Sequence, residues 1–226
     1  MNRSGYFITL EGGEGAGKST QARLLRDRLA AGGREVVLTR EPGGAPGAEA
    51  IRHLLVTGAA DRWSPLAETL LFAAARDEHL RRTIRPALER GAIVICDRFA
   101  DSTRAYQGVA GGVDPETVRS LEDVVLDGTR PDLTLILDID PAEGLARAGA
   151  RIAGDRSSGA GADENRFETK SLDFHAALRR AFLDIAAAEP DRCIIVDASG
   201  PAGDVAERIA AKVEERFRIT TSRQPA

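Results

Sequence analysis

The sequence predicts an α/β fold in which helices cover both faces of a five-stranded parallel sheet. Five short stretches rich in Ile, Val and Leu recur along the 226 residues, and the segments between them are long enough for helices. Strands that are apolar throughout are typical of parallel sheets buried on both sides. The alternation of strands and helices favours a doubly wound sheet. We assign residues 1–226 to a single domain, because one α/β core commonly reaches this length.

The five predicted strands each end on a charged side chain. They cover residues 6–11, 35–40, 92–97, 133–138 and 193–197, and their last residues are four acids and one arginine. Ligands of such sheets bind beyond the carboxyl ends of the strands. We therefore expect the functional site at this edge of the sheet.

Three helix starts are marked by a capping side chain followed by proline: Ser64-Pro65, Asp114-Pro115 and Asp140-Pro141. One segment interrupts this regular pattern. Residues 154–164 have the glycine- and serine-rich composition of a flexible loop, and residues 219–226 are predicted to be a frayed tail. We place a mobile lid at about residues 147–166.

Composition excludes several classes of protein. The net charge of −4 argues against a general affinity for nucleic acid, which requires a basic surface. No apolar run approaches the roughly 20 residues that span a membrane, and the polar N-terminus does not resemble a signal peptide. Cys96 and Cys193 lie in apolar strands, so we expect them to be buried and reduced in a cytoplasmic protein. Neither the cysteines nor the histidines show the spacing of a metal site.

A phosphate-binding loop follows the first strand. The segment fits the pattern G-x-x-x-x-G-K-[ST] and continues into an amphipathic helix, which is the context that such a loop requires. Its glycines let backbone N–H groups point at phosphate oxygens. Lys18 reaches the β- and γ-phosphates, and the Ser19 hydroxyl can bind Mg²⁺. The predicted ATP-binding residues are Gly12, Gly13, Glu14, Gly15, Ala16, Gly17, Lys18, Ser19 and Thr20.

This loop alone does not distinguish kinases from GTP-driven switches. A GTPase should carry an Asn-Lys-x-Asp segment that reads guanine, and the sequence has none. The Asp-x-x-Gly pattern at residues 197–200 ends the last strand, where a switch loop would serve no purpose. We therefore reject the switch interpretation.

Together with the phosphate loop, three further segments resemble the bacterial thymidylate kinases. They are residues 39–44 after the second strand, 70–76 in the next helix and 97–108 after the third strand. The four motifs occur in the order of the family, and the resemblance runs from about residue 5 to residue 215. It implies a nucleoside monophosphate kinase fold and transfer of the terminal phosphate of ATP to dTMP, which gives ADP and dTDP for dTTP synthesis.

The resemblance also implies roles for individual residues. Phe72 would stack on the thymine, while Arg76, Thr103 and Gln107 would contact the base. Tyr106 would pack beneath the sugar, where a 2′-hydroxyl would crowd it. Arg98 would bridge the acceptor phosphate and the transferred phosphoryl group, and Asp97 would join Ser19 at the Mg²⁺ ion. The remaining acceptor residues would be Glu11, Glu41, Pro42 and Arg52, with Glu41–Pro42 a candidate cis peptide bond.

The lid is expected to complete the reaction. Gly15 stands where some relatives carry an arginine that assists transfer, and relatives without it place catalytic arginines in the lid. We therefore expect Arg151, Arg156 or Arg166 to neutralise charge during transfer, and Arg147 to pack against the adenine. The expected catalytic residues are these three lid arginines with Lys18 and Arg98.

Two alternatives remain open at this stage. One is a different nucleotide or deoxynucleoside kinase on the same scaffold. The other is a regulator that binds nucleotide without turnover, although Lys18, Ser19, Asp97 and Arg98 together argue against it. The resemblance further implies a homodimer, and the apolar segment 66–75 is suited either to an interface or to the core.

Overall fold

A computed structural model describes residues 4–58, 62–157 and 170–222 of the chain. Five parallel strands form one sheet, and this confirms the predicted fold class. The strands are β1 (Tyr6–Glu11), β2 (Val36–Arg40), β3 (Ile93–Asp97), β4 (Leu133–Asp138) and β5 (Cys193–Asp197). Three of these strands have the predicted bounds, while β2 and β3 each begin one residue later than predicted.

The sheet has the order β2-β3-β1-β4-β5, so β1 lies at its centre. The chain passes from β1 outward to one side for β2 and β3 and to the other side for β4 and β5. The order therefore reverses at β1, and this reversal opens the crevice in which ligands of doubly wound sheets bind. The phosphate loop predicted from the sequence follows β1 at this point.

Helices cover both faces of the sheet. They are α1 (Lys18–Ala31), α2 (Pro46–Val56), α3 (Pro65–His79), α4 (Arg85–Glu89), α5 (Ala100–Thr103), α6 (Pro115–Leu126), α7 (Pro141–Ser157), α8 (Leu172–Ala188) and α9 (Ala202–Ser222). Wider π-helical turns extend α3 over Leu80–Ile84 and α5 over Arg104–Ala110. No helix within the described ranges has the length and apolar character that crossing a membrane demands.

The three predicted helix starts are confirmed. The Ser64 side chain accepts a hydrogen bond from the Ala67 backbone N–H, and Asp114 accepts one from Thr117 N–H. Asp140 does the same for Ala142 N–H at 2.9 Å. Each cap satisfies a backbone donor that the first helical turn leaves unpaired.

Two predicted boundaries are wrong. Helix α7 continues to Ser157 and so includes the first four residues of the segment expected to be a loop. A single glycine inside a helix costs only about 1 kcal/mol relative to alanine, which the neighbouring helix-forming residues offset. Helix α9 continues to Ser222, through half of the predicted tail. The rest of these two segments, 158–164 and 223–226, lies outside the described residues.

Two of the apolar clusters among the described residues lie on opposite faces of the sheet. One lies between the sheet and helices α1 and α9 and includes Leu10, Leu135 and Ile209. The other lies on the opposite face and includes Phe7 and Phe99, whose rings meet edge to face at 4.9 Å. Cys96 and Cys193 are both buried and free, as expected. The central strand is therefore fixed from both sides, and its carboxyl end presents the site on a rigid base.

Candidate active site

The loop after β1 folds around an ammonium group. Lys18 Nζ donates hydrogen bonds to the carbonyl oxygens of Gly12 and Gly13 at 3.1 and 2.6 Å. Gly15 and Gly17 adopt positive φ angles of 68° and 86°, which bend the backbone into a cradle. Burial, and after it the charge of Arg98, lower the pKa of Lys18 to about 8 against the opposing effect of Glu14. The loop is thus shaped for a polyanion that would restore the full charge of this lysine.

Helix α7 packs directly on this loop. A Cβ atom added to Gly15 would lie 1.8 Å from the carbonyl oxygen of Gly144, and one added to Gly144 would lie 2.4 Å from that of Glu14. The two backbones therefore touch where neither has a side chain. This contact explains the glycine at position 15 and leaves no room there for the arginine of some relatives.

Ser19 and Asp97 lie side by side at the start of α1. The Ser19 hydroxyl donates a short hydrogen bond to Asp97 Oδ2, which joins the end of the loop to the end of β3. A hydroxyl and a carboxylate are the hard oxygen ligands that Mg²⁺ prefers, with phosphate oxygens and water completing its shell. Among the described residues no group of three or more His, Cys, Asp or Glu side chains could hold a metal by itself. The pair fits an ion brought in by a nucleotide.

Arg98 connects the loop to the neighbouring cavity. Its Nη2 donates to Glu14 Oε1 at 2.8 Å and to Tyr106 Oη at 3.0 Å, and its Nη1 donates to Gly12 O at 3.2 Å. Arg98 has a φ of 68°, a conformation that non-glycine residues adopt rarely and mostly at functional positions. Burial alone would raise the pKa of Glu14, but Arg98, then Lys18 and the Tyr106 hydroxyl, lower it to about 2.

Glu11 fixes the backbone segment that follows Arg98. Its Oε1 accepts from the Phe99 and Ser102 backbone N–H groups at 2.7 and 3.2 Å, and its Oε2 accepts from Ser102 Oγ at 2.6 Å. Burial, and after it the charge of Asp101, raise the pKa of Glu11 to about 7. Glu11 is fully buried and holds the start of α5, whereas the sequence placed it among the groups that touch the acceptor.

The cavity beside the loop has a volume of about 650 Å³, within the usual range for small-molecule sites. The structure brings together here every predicted acceptor residue except Glu11, although they come from four separate segments. The lining residues are Glu14, Glu41, Pro42, Arg52, Val56, Phe72, Arg76, Arg98, Ser102, Thr103, Tyr106 and Gln107. The cavity is therefore aromatic and apolar on one side and rich in arginine on the other.

Arg76 is held at the cavity wall by a buried network. Its Nε donates to Glu41 Oε2 at 2.7 Å, and its Nη2 donates to the carbonyl oxygen of Phe99 and to Thr103 Oγ1, both at 3.1 Å. The Glu41–Pro42 peptide bond is cis, as predicted. Arg52 Nη1 donates to the Pro42 carbonyl oxygen at 2.9 Å and so ties α2 to the same turn.

The π-helical turn after α5 supplies Tyr106 and Gln107. Both side chains are buried and both line the cavity. The Arg98 guanidinium lies 4.9 Å from the centre of the Tyr106 ring, and Gln107 Nε2 donates to Glu68 Oε1 at 2.8 Å. Sequence reasoning missed Glu68, which is four positions before Phe72 and hence on the same face of α3; this spacing was the available signal.

Arg147, which was predicted to pack against the adenine, lies near the end of β5. Arg147 Nη1 donates to the Ala198 carbonyl oxygen at 3.0 Å and Nη2 to that of Gly200 at 3.3 Å, which places it beside the turn after β5. Thr20 is exposed in the first turn of α1. Arg151 and Arg156 belong to α7, and their side chains lie outside the described structure, as does the whole of Arg166.

A cradle for a polyphosphate, a hydroxyl–carboxylate pair beside it, and an arginine that leads into a cavity for a planar ligand define a P-loop kinase that acts on a small nucleotide. The thymidylate kinase family model matches residues 10–209. The chain belongs to the thymidylate kinase family.

Individual relatives agree with this assignment along nearly the whole chain. The thymidylate kinase of Caulobacter vibrioides is 57% identical over 215 residues, which is 95% of this chain and 99% of that protein. The thymidylate kinase of Bradyrhizobium is 53% identical over 213 residues, 94% of this chain and 91% of that protein. The crystal structure of thymidylate kinase from Ehrlichia chaffeensis superposes with a TM-score of 0.73 at 34% identity, covering 92% of this chain and 98% of that one.

Proposed function

We propose that this protein transfers the γ-phosphate of ATP to dTMP and releases ADP and dTDP. The observation that carries the proposal is the position of Arg98, whose guanidinium contacts both the carbonyl of Gly12 in the phosphate loop and Tyr106 in the acceptor cavity. A guanidinium between the phosphate loop and the acceptor cavity can contact both the γ-phosphate of ATP and the phosphate of the acceptor. Family membership supports the choice of dTMP as the acceptor.

The donor half of the site receives the phosphates of ATP. The loop amides and Lys18 contact the β- and γ-phosphates, and the anionic ligand restores the ammonium charge that burial disfavours. Ser19 and Asp97 would hold Mg²⁺, which would supply charge neutralisation at the phosphates when bound. Arg147, anchored to the turn after β5, packs against the adenine.

The acceptor half recognises a planar base. Phe72 provides an aromatic face at one wall of the cavity, and Arg76 reaches the base edge from one turn further along α3. Hydrogen bonds of Nε and Nη2 to Glu41, Phe99 and Thr103 hold the Arg76 guanidinium at the cavity wall. Thr103 and Gln107 supply further polar contacts at the base.

The sugar and phosphate of the acceptor lie nearer the phosphate loop. Tyr106 lines the cavity, and we propose that it packs beneath the deoxyribose, where a 2′-hydroxyl would crowd its ring. Glu41, Pro42 and Arg52 enclose the acceptor from the side of α2, and Arg98 binds its phosphate with the planar fork of a guanidinium. Glu11 acts on the acceptor through the backbone of α5 that it holds.

Catalysis consists of positioning and charge neutralisation. The acceptor phosphate is itself an anionic nucleophile, so no general base is needed, and one of its oxygens attacks the γ-phosphorus in line with the departing ADP oxygen. Arg98 and Lys18 stabilise the charge on the equatorial oxygens. Arg151, Arg156 and Arg166 are the lid residues proposed to assist, and closure of the lid excludes water, which would otherwise accept the phosphoryl group.

We also propose that the protein is a cytoplasmic homodimer. Leu66 and Leu70 lie four positions apart on α3, and each is 48% exposed. Two leucines on one helical face that the core does not cover suit an interface between like subunits.

A panel of acceptors tests the function directly. ADP release should be measured with dTMP, dUMP, UMP, CMP, AMP and thymidine, each with Mg²⁺ and ATP. We expect dTMP to give the highest kcat/KM. A different preferred monophosphate would assign the protein another nucleotide specificity, and ATP binding without turnover of any acceptor would favour the non-catalytic regulator.

A further inference from the structure

A buried histidine, His79, lies behind the acceptor cavity and has no role in the proposed reaction. His79, the last residue of α3, is completely buried, and both of its ring nitrogens have partners. Nδ1 lies 3.0 Å from Glu41 Oε1, and Nε2 lies 2.7 Å from Thr39 Oγ1. The ring therefore bridges the end of β2 and the turn that follows it.

Each oxygen of the Glu41 carboxylate has a hydrogen-bond partner on α3. Arg76 Nε donates to Oε2 at 2.7 Å while the His79 ring contacts Oε1 at 3.0 Å. A carboxylate only accepts hydrogen bonds, so Nδ1 must carry the proton in this contact. Because Arg76 and His79 are three positions apart on one helix, they face Glu41 together.

The same ring shapes the turn that encloses the acceptor. A Cβ atom at Gly44 would lie 2.3 Å from His79 Nε2, so the backbone of the turn rests directly against the imidazole. Thr83 Oγ1, one turn beyond His79, donates to the Gly44 carbonyl oxygen at 2.7 Å. A larger or smaller ring in this place would shift the turn that carries Glu41 and Pro42.

We infer that His79 is a positioning residue for the acceptor: through the Nδ1–H bond to Glu41 it fixes the carboxylate that in turn aims Arg76 into the cavity. His79 does not line the cavity, so it acts on an acceptor through its neighbours, chiefly through Glu41 and Arg76. This inference rests on the proposed acceptor role of Arg76. It predicts that the bond to Glu41, and not the bond to Thr39, governs acceptor binding.

Two amide substitutions at position 79 test the bond to Glu41 and the bond to Thr39 separately. In His79→Asn, the side-chain amide nitrogen reaches the position of Nδ1 and can donate to Glu41. The longer side chain in His79→Gln places its amide near Nε2 and keeps only the contact with Thr39. Both variants replace the ring by a neutral amide, so they are matched in chemistry and differ in which partner is retained.

The experiment measures the Kd of dTMP by calorimetry, the KM values of dTMP and ATP, kcat, and the melting temperature of each variant. Losing a hydrogen bond to a charged group weakens binding by about tenfold or more. We expect H79Q to raise the Kd and KM of dTMP by about tenfold, H79N to stay within about threefold of the wild type, and the KM of ATP to change in neither. His53→Gln, at an exposed position of α2, is the surface control.

Equal losses of dTMP affinity in both variants, or no loss in H79Q, would overturn the inference. A parallel rise in the KM of ATP would do the same, because it would indicate general damage to the fold. The wild-type protein is measured first. If it fails to bind or phosphorylate dTMP, that result contradicts the proposed function and not the role of His79.

Discussion

Glu14 and Arg98 form an ion pair of 2.8 Å between Oε1 and Nη2, and the Tyr106 hydroxyl donates to the same carboxylate oxygen at 2.7 Å. Glu14 therefore holds Arg98 in position. In the reaction proposed above, the acceptor phosphate would take over this contact of Arg98 from Glu14.

Arg98 is expected to be the residue whose loss reduces turnover most. Lysine at this position keeps one positive charge but cannot reach Glu14, Tyr106 and Gly12 at once. We expect Arg98→Lys to lower kcat by about 10³-fold, as for other arginines that stabilise phosphoryl transfer. ADP release measures the effect, and Arg90→Lys, in an exposed ion pair with Glu35, is the control. A kcat within tenfold of the wild type would remove Arg98 from the transfer step.

Nucleotide binding should depend on pH through Lys18. Burial lowers the pKa of Lys18 from 10.5 to about 8 in the free protein, so the ammonium loses its proton as pH rises through 8. Bound phosphates favour the charged form, and binding above pH 8 therefore takes up a proton and weakens by up to about tenfold per pH unit. Calorimetry at pH 8.5 in buffers of different ionisation enthalpy measures this uptake. Uptake that persists in Lys18→Met would assign the proton to another group.

The buried pair of Arg192 and Asp101 should contribute to stability far more than surface pairs do. Arg192 donates to both oxygens of Asp101 at 2.7 and 2.8 Å, and the Asp101 side chain is only 3% exposed. Arg192→Met leaves this carboxylate without its bidentate partner, so we expect the free energy of unfolding to fall by about 3 kcal/mol. Urea denaturation gives the value.

Arg28 provides the matched comparison for Arg192. It also donates to both oxygens of one carboxylate, Glu207, but the two side chains are 47% and 72% exposed. Water screens such a pair, so Arg28→Met should leave the urea midpoint nearly unchanged. Similar losses in the two variants would mean that burial does not determine the strength of the Arg192 pair.

The close approach of the phosphate loop and α7 makes Gly15 intolerant of any side chain. Alanine there would meet the Gly144 carbonyl oxygen at 1.8 Å and would have to keep a φ of 68°. We expect Gly15→Ala to lower the free energy of unfolding by about 3 kcal/mol. Gly13→Ala is the control, since its added Cβ has no neighbour within 4 Å, and thermal melts of the free proteins compare the two. Equal melting temperatures would contradict the predicted clash.

Self-association should depend on the exposed leucines of α3. Replacing Leu66 and Leu70 by glutamate places two charges on the face proposed to bind a second subunit. We expect the double variant to be monomeric in sedimentation velocity experiments while the wild type is a dimer. Leu24→Glu, at a 39% exposed position of α1, should remain dimeric. A wild type that sediments as a monomer would refute the proposed assembly.

The strands and the phosphate loop could be predicted because their signals are local. Each strand is a short run rich in Ile, Val and Leu that ends on a charge, and the loop follows the first run directly. The helical extension of α7 through Gly154 could not be predicted in this way. Its composition favours a loop, and the helix-forming residues on its N-terminal side prevail over that composition.

The acceptor side shows a second limit of sequence reasoning. His79 is an isolated histidine in the sequence, because its partners Glu41 and Thr39 precede it by 38 and 40 positions. Glu11 was likewise predicted to face the ligand because it is the last residue of a strand. In the structure its side chain is buried and binds the backbone at the start of α5. Motifs identified the residues that contact ligands, whereas the side chains behind them depend on contacts that only the folded chain creates.

The touching backbones of Gly15 and Gly144 also constrain how this enzyme could change over generations. A side chain introduced at position 15 would first require α7 to withdraw, and α7 is the helix that carries Arg147. A lineage could acquire such a side chain only by altering both segments, so this contact ties the evolution of the phosphate loop to that of α7.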